Sequence, residues 1–184
     1  VRGALIKAIA EAIDADTAHR DKVLNQLRLS SLDLSHLQNT CLTVGIKQLE
    51  EIFCDYFGLY VFGLSYLYAY EYFLAPGSTN RDPYYPSSGN RVKMLLDAAG
   101  EFGITVDSDL FSRWMDSKPR PGIDGDILVI VDKAVASVAS TLRTITIELL
   151  KKRGIPQNQP EVIERVLTAF HGNVPDGAGA SLAE

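Results

Sequence analysis

Two side chains toward the C-terminal end are of the types that hold a phosphate and move a proton. Arg165 and His171 stand in the string Arg-Val-Leu-Thr-Ala-Phe-His, with five residues between them. A guanidinium can grip a phosphate through paired N–H donors while an imidazole transfers a proton to or from the sugar oxygens, and the two together could cleave RNA without a metal. An Arg and a His at this separation also occur together by chance, so the pair is a candidate and not a signature.

The other reactive residue types are arranged for less. His19 and His36 stand in polar helical text with no ligand spacing and read as solvated surface residues. Asp116, Asp124 and Asp126 cluster in the stretch 116–126 and could face a divalent cation, but the string lacks the order of an EF-hand loop and reads as a solvated, cap-forming loop. Gly122 and Gly125 are not followed by the Gly-Lys-Ser/Thr of a phosphate loop, and no Gly-x-Ser-x-Gly elbow is present. Cys41 and Cys54 show neither Cys-x-x-Cys spacing nor a nearby histidine, which argues against a disulfide framework or a zinc site. No metal and no cofactor is expected.

A length of 184 residues suits roughly one domain with one core. Hydrophobic content of 46% and charged content of 22% are those of an ordinary globular chain. A net charge of −5 repels phosphate backbones, so RNA binding is disfavoured unless a local patch provides it. The one basic cluster, Lys151, Lys152 and Arg153, falls where a helix should end and cations meet the negative end of its dipole. No signal peptide is read at the start, and a cytoplasmic protein is expected. The chain opens on Val1 and not on Met, as a piece of a longer protein would.

Hydrophobic periodicity predicts a mostly α chain, an antiparallel helical bundle with a long central helix, a long polar loop and an appended C-terminal helix. Leu5, Ile9, Ile13, Val23, Leu24 and Leu27 predict two short helices or one bent one, interrupted at the Asp14–Thr17 cluster, whose short polar side chains suit a cap. From Ser35 a central helix runs to about Leu74 and stops at Pro76 and Gly77. Residues 76–90 form a loop long enough to be either disordered or functional. Val92 to Phe102 form a helix closed by Gly103, and a short helix after Ser108 carries Leu110, Phe111, Trp114 and Met115. The clearest seam is Val131, Val135, Val138, Leu142, Ile145 and Leu149, ended by Gly154 and Pro156. The β-branched run 127–131 is expected as an extended approach to that helix. Pro160 opens a last helix with Val162, Ile163, Val166, Leu167 and Phe170, stopped by Gly172. Residues 1–154 are thus the bundle domain, and 155–184 an appended helix and a flexible tail.

The aromatic stretch Ile52–Ala75 poses a membrane question. Between Asp55 and Glu71 only fifteen residues are uncharged, fewer than the roughly 18 of a spanning helix, and several are Tyr, Ser or Gly. Surface insertion would need more Lys and Arg than the single Lys47. No membrane association is expected. Buried tyrosine hydroxyls need partners, so the run of tyrosines predicts a helix that passes from core to surface or to an interface. The interface expected comprises Tyr60, Tyr66, Tyr68, Tyr70, Tyr72, Tyr84 and Tyr85, facing a protein partner or a second copy of the chain.

The order of GIKQLEEIFCDYFGLYV (45–61), a polar loop, RVKMLLDAAGEFGI (91–104) and GDILVIVDKAVASVASTLRTITIELLKK (125–152) resembles the HEPN superfamily of helical, nucleic-acid-associated domains over roughly residues 33–153. The resemblance implies a helical domain that is either a ribonuclease with an Arg/His motif or a degenerate partner or scaffold. Its motif would stand near 114–126, where no histidine occurs, and Arg165 with His171 lies beyond the resembling region. Three readings follow. The first is a non-enzymatic interaction or assembly domain, in the form of a degenerate HEPN-like module. The second is a metal-independent endoribonuclease using Arg165 and His171. The third is a bundle that binds a small apolar ligand.

Overall fold

In the computed structural model the described residues are 1–28, 33–74, 81–111 and 120–157. Six helices organise them: α1 (Arg2–Ala15), α2 (Thr17–Arg28), α3 (Leu34–Phe62), α4 (Leu64–Leu74), α5 (Ser88–Glu101) and α6 (Ile123–Lys152). The mostly α expectation holds. None of these helices is long and apolar enough to cross a membrane. Arg165 and His171, the helix expected from Pro160, and Trp114 with Met115 lie outside the described residues.

The expected seam of α6 is the spine of the core as far as Leu142, whereas Ile145 and Leu149, which continue it, are exposed. Ile127, Val131, Ala134, Val135, Val138 and Leu142 are buried along it, and each large aliphatic removed from water stabilises the fold by about 1.5–3 kcal/mol. On α1 the residues Leu5, Ala8, Ile9, Ala12 and Ile13 recur three and four apart and form the buried face. That helix runs antiparallel to α6, since Val1 and Leu5 share a groove with Leu142 while Asp16, just past its other end, reaches Lys133. It is antiparallel to α3 as well, with Leu5 against Gly45 and Ile9 beside Leu42. The two long helices therefore share a direction. Gly45 lies by Val131 and Tyr56 by Arg143, and the chain returns between them through α4 and α5.

The interruption expected at Asp14–Thr17 is real and its cause is visible. Asp16 leaves the helical conformation and its Oδ1 accepts the backbone N–H of His19 at 3.2 Å, a side-chain cap for α2. Asp33 caps α3 in the same way, accepting from the backbone N–H groups of Ser35 and His36, and Ser87 caps α5 by accepting from Asn90. Gly103, just past α5, has φ 70°, and Gly154, just past α6, has φ 67°, the left-handed ends the sequence suggested.

Three expectations need correction. The central helix does not run unbroken to Leu74: Gly63 adopts φ 57°, which side-chain-bearing residues rarely do, and α4 starts afresh at Leu64. Residues 127–131 are helical, not extended. Their β-branched side chains point into a core already lined by α1 and α3, so packing overrides local preference. Residues 108–111 form a turn and not a helix.

Candidate interaction surface and the polar centre behind it

The break at Gly63 lets α4 fold against α3, and a polar centre forms in the fold. Asp55, on the inward face of α3, is buried. Arg91 of α5 donates Nε to Asp55 Oδ2 at 2.8 Å and Nη2 to Oδ1 at 2.7 Å. The Tyr66 hydroxyl of α4 donates to Oδ1 at 2.8 Å. Glu51 stands 3.9 Å from the same guanidinium. The guanidinium carbon lies over the Tyr70 ring, 5.0 Å from its centroid, and over the Tyr85 ring at 5.8 Å.

These contacts set the protonation states. Burial disfavours the charge of Arg91, but the hydrogen bonds and charge of Asp55 outweigh it and hold the guanidinium proton more tightly than usual. Burial, and then the negative Asp55, push the Tyr66 hydroxyl upward, and burial raises Tyr70. All three are kept in the states they have at neutral pH. Asp55 and Arg91 are matched to each other, an arrangement that fixes the geometry of α5 against α3.

A second set of bonds fastens the described part of the loop. Arg81 meets Asp132 of α6 through Nη1 on Oδ2 at 2.7 Å and Nη2 on Oδ1. Arg120 Nε donates to the Arg81 carbonyl at 2.6 Å, and Gln48 Nε2 to the Pro83 carbonyl at 3.1 Å. The Tyr84 backbone N–H donates to Asp82 Oδ1 at 2.8 Å. Residues 81–87 are thereby held against α3 and α6, and they present Tyr84 and Tyr85 outward.

The expected interface residues divide in two. Tyr60 and Tyr70 belong to the chain's own core, Tyr60 edge-on to Phe102 and Tyr70 edge-on to Phe111, and Tyr66 is engaged by Asp55. The outward set is Tyr72, 79% exposed, with Tyr84, Tyr68 and Tyr85 at 52%, 50% and 45%. Tyr68 and Tyr72 are four residues apart, on the face of α4 opposite Tyr66 and Tyr70.

The remaining candidates have structural employment. His19 is not simply solvated: its Nδ1 lies 2.8 Å from Asp16 Oδ1 and its Nε2 3.7 Å from Asp126 Oδ1. His36 is exposed, as expected. Asp124 and Asp126 occupy the first turn of α6, where Asp124 faces Arg120 and Asp126 faces Lys22. Asp116 lies outside the described residues. Among the described residues no group of three His, Cys, Asp or Glu could hold a metal ion. Lys151 and Lys152 fill the last turn of α6. Cys41 is buried, its thiol pushed up to about 12 by burial, whereas Cys54 is exposed.

Asp55 and Arg91 were not singled out from the sequence, although a lone carboxylate on the inward face of α3 was the available signal. No family model, curated protein or solved structure matches the chain.

Proposed function

We propose that the protein is a non-enzymatic helical interaction module that associates with a second polypeptide, in the first place another copy of itself, through Tyr68 and Tyr72 of α4 and Tyr84 and Tyr85 of the pinned loop. The observation that carries this reading is the outward set of four tyrosines, each 45% or more exposed, standing on elements that the Asp55–Arg91 and Arg81–Asp132 pairs hold in place. Tyrosine gives large contact area at little entropic cost and keeps a polar tip for the wet rim, which is why it is enriched at interfaces. The resemblance to HEPN domains enters in its degenerate, scaffold form, supported by the order of helices alone. No observation favours the ribonuclease form.

The test is size-exclusion chromatography with light scattering over a range of concentrations. Wild type should exceed the 20.2 kDa of one chain, and Tyr68→Ser/Tyr72→Ser should fall back to it without loss of helicity. A wild type that stays at one chain's mass at every concentration removes self-association.

A further inference from the structure

The break between α3 and α4 is one residue long. Gly63 has φ 57° and ψ −134°, and helical bonding reaches it from both sides: its N–H donates to the Leu59 carbonyl at 2.8 Å and its carbonyl accepts the Tyr66 N–H at 3.0 Å. The apolar spacing passes straight through the break. Tyr56, Tyr60, Gly63, Leu67 and Tyr70 alternate four and three apart and all are buried, which is the seam of one uninterrupted helix. The folded-back form draws on tertiary contacts instead: the Tyr66 hydroxyl on Asp55, its ring on Gly58, and Tyr70 against Arg91 and Phe111. A short connection that its flanking sequence opposes favours exchange of elements between copies.

We propose that the chain has a second, exchanged form, in which α3 and α4 run on as one helix through Gly63 and the α1–α3 half of each copy packs against the α4–α6 half of another. The bonds that join the two halves all cross the hinge: Arg91 to Asp55, Lys133 to Asp16, Lys22 to Asp126 and Gln48 to the Pro83 carbonyl, while α6 lies on α1, α2 and α3 alike. Each of these contacts is remade between copies. The balance is then set by the entropy of association on one side and the straightened helix on the other. A new contact forms where the two long helices meet at their hinges, and Phe62, 57% exposed in the closed chain, stands beside it to be covered. This form goes beyond the association through the outward tyrosines and does not use them.

Gly63→Ala is the direct test, since alanine is disfavoured at φ 57° and favoured within a helix. Both hinges of a dimer change together, so the equilibrium constant for dimer over monomer should rise about a hundredfold or more. Wild type and variant are refolded from urea over a range of concentrations and then diluted, with mass followed by size exclusion and light scattering. The expected product is a helical dimer at twice the 20.2 kDa of one chain, more abundant in Gly63→Ala. It should persist on dilution, because return requires the halves to part, and should be unmoved by adding Tyr68→Ser/Tyr72→Ser. A dimer that dissociates at once, or that those two substitutions abolish, is the tyrosine association and overturns the exchange. Absence of a dimer from both proteins overturns it as well. Mixing reads the exchange itself. Asp55→Arg and Arg91→Asp each set like charges against one another in a closed chain, whereas an exchanged dimer of the two variants holds one native pair and one reversed pair. Refolding them together should restore helicity and yield a dimer that neither reaches alone, and no gain on mixing overturns the proposal. Should Gly63→Ala fail to fold, the wild-type dilution and the mixing decide.

Discussion

Arg91 and Asp55 stand 36 residues apart in the chain and meet in a two-bond pair with almost no solvent access, the Asp55 side chain 3% exposed and that of Arg91 10%. A charge buried with its partner is tolerated, whereas a charge buried without one is not. Arg91→Leu, which strands the carboxylate, should lower the unfolding free energy by about 3–5 kcal/mol, and Asp55→Leu/Arg91→Leu should recover most of that. Arg91→Lys should fall between them, because a point charge cannot reproduce the paired donors. Urea unfolding at constant m-value measures all three. A loss in Arg91→Leu below about 1 kcal/mol would mean the pair does not hold α5 to α3.

The Tyr66 ring rests on Gly58 so closely that a Cβ there would overlap its edge. Gly58→Ala should therefore displace the ring and cost about 1–3 kcal/mol. Tyr66→Phe should cost about 1.5–3 kcal/mol through loss of the hydroxyl bond to an ionised acceptor. Because both act on one contact, the double variant should lose less than the sum of the two. Full additivity in a double-mutant cycle would separate the two residues.

High pH probes the same region. Burial pushes Tyr56 up to about 12, and Tyr66 and Tyr70 are raised further. In the unfolded chain these hydroxyls ionise near their usual value of about 10. Their folded values are raised, so their contribution is complete below that pH and is lost as pH climbs toward the folded values. Stability should fall steeply above it, and the absorbance of the Tyr56, Tyr66 and Tyr70 phenolates should appear together with loss of helicity. Ionisation of these three at the ordinary value with helicity retained would contradict their burial.

Low pH probes the α1–α2 corner. The hydrogen bond from Lys133, then that from His19, holds the Asp16 carboxyl well below its ordinary 3.8. A lowered value means stabilisation that is complete above the ordinary pKa and lost as pH falls below it. Asp16→Asn keeps an amide oxygen for the cap and should flatten this acid limb of the stability curve. Asp16→Ala should flatten it too and lose about 1 kcal/mol more at neutral pH, through the missing cap. An unchanged acid limb in Asp16→Asn would show that other carboxylates govern it.

How much of this was legible beforehand varies from element to element. The seam of α6, the interruption at Asp16 and the ends at Gly103 and Gly154 follow from spacing and from residues whose local conformational preferences agree with the fold. The break at Gly63 was not legible, since a glycine inside apolar helical text is tolerated in a helix, and its left-handed conformation appears only in the folded chain. Residues 127–131 misled because β-branched preference is weaker than burial on two flanks. Of the interface tyrosines, spacing alone could not divide Tyr66 and Tyr70 from Tyr68 and Tyr72, because the division depends on how α4 folds onto α3. Asp55 and Arg91 find each other through that same tertiary event, and no local pattern contains it.

The spine role of α6 has a bearing on biosynthesis. Of the six helices it emerges last from the ribosome, yet α1, α2 and α3 all rest on it. While residues 34–122 are being made, the apolar faces of the first three helices have only one another to lean on. A nascent chain halted before Ile123 would present Leu5, Ile9 and Ile13 to whatever chaperone or aggregate is at hand, and folding can close only once residues 123–152 have been made.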